Sequence, residues 1–284
     1  MTTVETAEAA LLPCTAPGAM KAEARIVTAL RSDRHRPQTL LTTVRSEAPL
    51  TLRSCIAKGP EPWAAHLPHV ARVSLVASAA GPVGGDHHRL DIRVGAGSNL
   101  LLNEISATLL LPGRGHTRSR TDVRIQVDAG ATMIWMPEPV IAVKGCDHVN
   151  DVRIDLAEDA RLLVREEVVL GRHREQSGRV CQSIRVRRSE RLVYRQDVNL
   201  GTPTAATPAV AGAFRTIGSM LLFDPQLDLA HTARVPGEAA MMPLAPEGLL
   251  IAGFGNDTLE LRHHLSAGLA ALGPPWHPEG IAAY

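Results

Sequence analysis

Ile92-Arg-Val-Gly-Ala-Gly97-Ser-Asn-Leu-Leu-Leu102, Ile125-Gln-Val-Asp-Ala-Gly130-Ala-Thr-Met-Ile-Trp135 and Ile154-Asp-Leu-Ala-Glu-Asp159-Ala-Arg-Leu-Leu-Val164 are three versions of one pattern. Each opens as a strand in which apolar and polar residues alternate, meets a turn, and continues as a more apolar strand, at an interval of about 30 residues. A period of two puts the apolar side chains on one face and Arg, Asp or Gln on the other, so the first strand of each unit belongs to a sheet solvated on one side. Gly97 and Gly130 stand where a tight turn needs positive φ, and Asp159 fills the matching place as a tolerable substitute. A fainter fourth copy runs Ile184-Arg-Val-Arg-Arg-Ser-Glu190-Arg-Leu-Val-Tyr194.

Two strands around a turn cannot bury their own apolar face and must stack on their neighbours. The reading is a mainly β chain with a stacked-sheet or helicoid, β-solenoid-like body over about residues 20 to 250, followed by a C-terminal helix. Ordinary hairpins of a β-sandwich can imitate such spacing, so that architecture stays open beside the favoured one. Residues 1–20 read as an exposed, poorly ordered leader, and 21–284 as a single elongated β-rich domain. A loop rich in Gly, Thr, Pro and Ala (Gly201 to Gly212) interrupts the strands, and Asp224-Pro225 marks another turn. Asp257-Thr-Leu-Glu260 forms a capping-box pattern before Leu261, Leu265, Leu269 and Leu272, which share one helical stripe expected to pack on the β-body. Gly273-Pro274-Pro275 ends that helix and leaves a loose tail to Tyr284.

The chain has 284 residues, with 30 Lys and Arg against 29 Asp and Glu, a formal charge of +1. Such a balance provides no net field toward nucleic acid or an anionic membrane. An aromatic share of 3% leaves few faces for stacking bases or sugars. The first residues carry acid instead of a basic segment, the apolar patch Ala9 to Leu12 stops at Pro13, and no later window is apolar for the length of a membrane span. Cys14, Cys55, Cys146 and Cys181 lie far apart with no CxxC pair. A soluble, cytoplasmic protein is the expectation.

No nucleophile elbow, P-loop, HExxH or Rossmann glycine pattern is present. His87-His88 and His263-His264 read as solvated surface, since neighbours on a strand point to opposite faces. Cys146-Asp147-His148 follows Gly145, and a turn there could converge a donor set suited to nickel or zinc; a small buried Cys beside an exposed turn is the plainer account. Asp86, Glu138, Glu166 and Glu167 fall in or beside apolar strand and turn segments. Carboxylates in such places either pair with Arg or face a wet cavity. Glu166 and Glu167, being adjacent, should point to opposite sides.

Gly81-Pro-Val-Gly-Gly-Asp86 with Leu90-Asp-Ile-Arg-Val-Gly-Ala-Gly97, then Trp135-Met-Pro-Glu-Pro-Val-Ile141, then Glu167-Val-Val-Leu-Gly-Arg172, in this order and spacing, resemble the UreD/UreH family of urease accessory proteins. The resemblance implies a helicoid-like β fold without turnover of its own. It implies a scaffold that binds the apo-urease subunits and UreF, and through UreF the GTPase UreG, and that assists nickel delivery along an internal polar channel. In that picture Asp86, Glu138 and Glu167 line the channel, with Ser106 a weaker candidate; no cofactor is tightly bound, and nickel is in transit. Carboxylate and carbonyl oxygens hold a divalent cation weakly enough to let it move on, where thiolates and imidazoles would trap it. The chain departs from the family at Leu109-Leu-Leu-Pro-Gly-Arg-Gly-His116-Thr-Arg-Ser119, where a Lys and a Tyr are usual. The alternative from the residues alone is a metal-dependent hydrolase or isomerase using Cys146, Asp147, His148 and an acid such as Glu167. Convergence of such groups on one open pocket favours the enzyme, and a linear polar channel favours the scaffold.

Overall fold

A computed structural model describes residues 18–32, 36–57, 61–202, 207, 210–227, 239–244 and 248–276. Most of the expected leader, part of the Gly201 to Gly212 loop and the tail beyond residue 276 lie outside the described residues. In chain order the strands are β1 (Lys21–Arg31), β2 (Gln38–Arg45), β3 (Leu50–Ser54), β4 (Ala71–Ala77), β5 (His87–Val94), β6 (Asn99–Glu104), β7 (Thr108–Leu110), β8 (Ser119–Val127) and β9 (Thr132–Met136). They continue with β10 (Val140–Ala142), β11 (Asp147–Leu156), β12 (Arg161–Val169), β13 (Arg179–Arg188), β14 (Arg191–Leu200), β15 (Thr216–Phe223), β16 (Ala239–Leu244) and β17 (Gly248–Gly255), then the helix α1 (Thr258–Ala270).

Two sheets form a stacked, β-solenoid-like body. The first has the order β14-β13-β11-β8-β5-β1-β2; the second runs β16-β17-β15-β12-β9-β6-β4-β3, with β7 and β10 alongside β12. In each repeat one strand enters the first sheet and the next enters the second, so β5, β8 and β11 pair in parallel on one side and β6, β9 and β12 on the other. Registers follow the repeat: Ile26, Ile92, Ile125 and Ile154 form one row across the first sheet, and Leu100, Met133 and Leu162 one row across the second. Both rows are buried in the core between the sheets.

The alternation also predicts the layers. Arg124, Gln126, Arg153 and Asp155 on the outer face of the first sheet are exposed, while β9 is buried throughout. A sheet covered on both faces reads as a continuous apolar run. The cover is α1, whose Leu261, Leu265 and Leu269 pack with Leu101, Ile134, Leu163 and Trp276 in a second core, as the leucine stripe predicted. Asp257 caps the helix by accepting from the Glu260 N–H at 2.8 Å, and Glu260 reaches back to the Asn256 N–H at 2.6 Å.

Two turn expectations need correction. Gly97 and Gly130 have φ of +66° and +64°, but Asp159 is not among the described non-glycine residues with positive φ. Its side chain does other work: the Gly97 N–H donates to the Ala129 carbonyl, and the Gly130 N–H donates to Asp159 Oδ1 at 2.9 Å, so a carboxylate replaces the next turn's backbone acceptor. The fourth copy is not a repeat. Val186, not Ile184, pairs with Ile154, and Ser189 and Glu190, both at positive φ, turn the chain straight back into the first sheet as β14. A two-residue hairpin turn keeps both strands in one sheet and cannot reach a sheet about 10 Å away.

Candidate functional site

The first-sheet strands enter at the end of the body where the second-sheet strands leave, and there the inward row changes character. The apolar row Leu90, Val123, Val152 and Ile184 is preceded two residues earlier, on the same face, by His88, Thr121, Asn150 and Gln182, in register across β5, β8, β11 and β13. Asn150 Nδ2 donates to Gln182 Oε1 at 2.9 Å. From the second sheet Glu104, at the end of β6, and Glu166, on β12, face this polar row, with Glu138 and Ser106 nearby. These groups border a cavity of about 120 Å³ between the sheets. A second cavity, of about 690 Å³, follows toward β14, β15 and β17, and Glu166 and Gln182 border both. Exposed residues stand at each end: Ser106 and Ala79 border the first cavity, Asp197 and Asn199 the second.

Burial sets the charge of this interior. Glu166 is pushed up to about 7 by loss of solvent alone. Loss of solvent and then the neighbouring Glu138 carboxylate push Glu104 up to about 8. His148 is pushed down to about 3, chiefly by burial, with His88 and Arg120 adding to it; His88 is lowered by burial, partly offset by Asp86. His148 Nδ1 is bonded to Ser119 Oγ at 2.9 Å, and His88 Nε2 is buried with no hydrogen-bond partner among the described residues. Near neutral pH the polar row therefore presents an uncharged imidazole and amides, facing a Glu166 carboxyl that is about half protonated and a Glu104 carboxyl that is mostly so.

The residues expected to line a channel divide. Glu138 and Ser106 border the first cavity, and so does Glu167, although it occupies the opposite face of β12 from Glu166. Glu167 is buried and held by Arg262 of α1, whose Nε donates at 3.0 Å and Nη2 at 2.8 Å; the same Nη2 donates to Glu138 at 2.8 Å. Asp86 does not border either cavity. Its two carboxylate oxygens accept from the backbone N–H groups of Met20 and Val83, both at 2.8 Å, which fixes the glycine turn before β5. Arg pairing thus accounts for Glu138 and Glu167, backbone capping for Asp86, and neither for Glu166.

The Cys146, Asp147 and His148 side chains do not converge. Strand alternation sends Asp147 outward to Arg118 and Arg179, at 2.9 and 2.6 Å, and His148 inward to Ser119. Cys146 is buried in a small apolar cluster with Leu110, Ala142 and Val180, and burial raises its thiol to about 11. Among the described residues no three His, Cys, Asp or Glu side chains are grouped so as to hold one metal ion. His87 is partly exposed and bonded to Asp122 at 2.6 Å, as expected of a surface residue, but His88 is an interior residue and corrects that expectation. His116, in the segment that departs from the family pattern, is exposed.

No motif marks Glu104, His88, Thr121, Asn150 or Gln182 as a channel residue. The signal was present in the alternation: carried back two residues from Leu90, Val123, Val152 and Ile184, each inward position holds a polar side chain where the pattern asks for an apolar one.

The family model described as "UreD urease accessory protein" matches residues 21–281. "Urease accessory protein UreD" of Streptomyces avermitilis is 37% identical over 240 residues, covering 83% of this chain and 92% of that relative. The protein of the same name from Streptomyces coelicolor is 36% identical over 263 residues, covering 91% of this chain and 99% of that relative.

Proposed function

The chain belongs to the UreD family of urease accessory proteins, and from that premise we propose that it is a non-catalytic maturation scaffold that assists delivery of nickel into apo-urease through the interior between its sheets. The observation that carries this is the polar row His88, Thr121, Asn150 and Gln182, facing Glu104 and Glu166 inside an otherwise apolar stack. Buried polar side chains lose free energy unless they are bonded or wet, and a row of them across four strands is not needed to hold the sheets together. Oxygen and amide donors spaced along a path, with no closed set of thiolates and imidazoles, offer a divalent cation successive weak sites.

Its partners in this reading are the apo-urease subunits and UreF, with the GTPase UreG reached through UreF, and its place is the cytoplasm. No helix among the described residues is long and apolar enough to cross a membrane. The side chains of Cys146, Asp147 and His148, pointing in different directions, do not support a metal-dependent hydrolase.

Co-expression of the tagged chain with the urease subunits and the other accessory proteins tests the reading. The expected result is a recovered complex with UreF or apo-urease, and nickel-dependent urease activity that disappears when the chain is omitted. Urease that matures fully without it would overturn the assignment.

A further inference from the structure

We propose that Glu166 is the transfer point between the two cavities, where a divalent cation crosses by exchange with a proton: the carboxyl gives its proton to water as the cation arrives and takes one back as the cation leaves. This rests on the conduit reading above.

Position is the first argument. Among the described residues Glu166 and Gln182 are the two that border both cavities, one from each sheet, so the two cavities adjoin at this pair. The second is the lack of a counter-ion. Glu138 and Glu167 have their charge neutralised by Arg262, whereas Glu166 accepts no hydrogen bond and forms no ion pair among the described residues. A carboxylate bonded to guanidinium has little left for a passing cation, while an unpaired one has its full charge and both oxygens to offer.

The surroundings give the third argument. Asn150 and Gln182 face Glu166 as amides already bonded to each other, and Ser219 lies beside it in register on β15. Tyr194 is close enough to feel its charge, and Ala252 borders the second cavity from β17. The other titratable groups on these walls, among the described residues, are His148, His88, Arg89, Glu104, Glu138 and Glu167 in the first cavity and Asp197 in the second; Arg89 is paired with Asp91 at 2.9 Å. Asp197 is committed to Ser183 and Arg195 at 2.6 and 2.7 Å. Arg165 and Arg262 act on the opposite face of β12 through Glu167. With no cation to hold it ionised, Glu166 rests about half protonated at neutral pH, in keeping with its upward displacement to about 7. A carboxyl that keeps part of its proton at rest holds a cation less tightly than a fixed carboxylate, and it becomes more attractive as that proton is given up.

The test uses the full chain assembled with apo-urease and the other accessory proteins, and follows nickel-dependent activation at about pH 6, 7 and 8. For a group that titrates near 7 the ionised fraction rises about tenfold across that range. Glu166→Gln should therefore activate more slowly than the unaltered chain, with a deficit that widens about tenfold from pH 6 to pH 8, and Glu166→Asp should restore the pH-dependent rate. Calorimetric titration of the purified chain with nickel, in buffers of different ionisation enthalpy, should show fewer protons released per nickel in Glu166→Gln. Gln182→Trp, which fills the junction, tests the conduit itself. If Gln182→Trp blocks activation while Glu166→Gln behaves like the unaltered chain at every pH, the conduit stands and the exchange at Glu166 is wrong. If Gln182→Trp, folded as judged by its unfolding midpoint, activates normally, the conduit and this proposal fall together.

Discussion

Arg262 on the helix and Glu167 on β12, 95 residues apart in sequence, form a buried ion pair in which the guanidinium donates through Nε and Nη2 to both carboxylate oxygens. Glu167 has 1% of its side chain exposed, and Arg165 stands 3.6 Å away on the same strand. The pair holds α1 over the second sheet and removes Glu167 from the chemistry of the cavity. Taking away one partner of a buried pair leaves the other charge uncompensated.

Arg262→Met should therefore cost about 3 kcal/mol of stability, while Arg262→Met with Glu167→Leu, which removes both charges, should recover most of it. Urea unfolding of the two variants decides the matter. Equal midpoints for Arg262→Met and the unaltered chain would show that the leucine stripe alone fixes the helix.

The pH dependence of stability has two opposed limbs. His148 is pushed down to about 3 in the folded chain against 6.5 when free, so its contribution to stability is fully present above about pH 6.5 and is lost as acid lets the unfolded chain take up a proton that the fold refuses. Glu166 titrates near 7 against 4.5, so its neutral form suits the fold below about pH 4.5, and stability is lost as pH rises through 7. Glu104, near 8, acts in the same direction. Glu166→Gln cannot ionise, so it should match the unaltered chain near pH 4 and exceed it by on the order of 3 kcal/mol near pH 8. Denaturation curves at a series of pH values check this, and a constant difference between the two proteins would contradict it.

Gly84 is the residue on which the turn before β5 depends. A Cβ placed there would lie 2.3 Å from the Thr117 carbonyl oxygen and 2.5 Å from the Gly113 nitrogen, and both are backbone atoms that cannot move aside as a side-chain tip would. Gly84→Ala should lower stability by about 3 kcal/mol, whereas Gly115→Ala, with nothing within 4 Å of its Cβ position among the described residues, should cost only the smaller price of its positive φ. Thermal unfolding of the two variants gives the comparison, and similar midpoints would mean that the close approach of Gly84 and Gly113 relaxes freely.

The stack was legible because its register and its repeat are the same thing: Ile92, Ile125 and Ile154 recur at matching places in sequence and meet side by side in space. The limit of the stack was not. Ile184 looks like a fourth member, yet the two-residue turn at Ser189 and Glu190 sends the chain back along β13, and local composition near Arg187 and Arg188 carries no mark of which sheet comes next. The site was legible only in part. Motif pointed to Glu138, Glu167 and Asp86, whose partners are Arg262 and backbone amides from distant parts of the chain, and no single-sequence pattern reveals such a partner. The free carboxyl beside them, Glu166, differs from Glu167 only by strand parity, and parity separates the two once the inward face is fixed by Leu162 and Val164.

Cys146 separates the scaffold from the enzyme most directly. Its Sγ is buried among Leu110, Ala142 and Val180, and Gly178 packs against it so closely that a Cβ there would lie 2.5 Å from the sulfur. A thiol raised to about 11 is almost wholly protonated at neutral pH and neither attacks an electrophile nor binds a metal readily. Cys146→Ala should leave nickel-dependent maturation within about twofold of the unaltered chain, and native-state alkylation should modify Cys55 and Cys181, both partly exposed, before Cys146. Mass spectrometry after brief iodoacetamide treatment reads the order. Rapid labelling of Cys146, or an activity abolished in a Cys146→Ala variant that unfolds at the normal midpoint, would return the chemistry to the turn at Gly145.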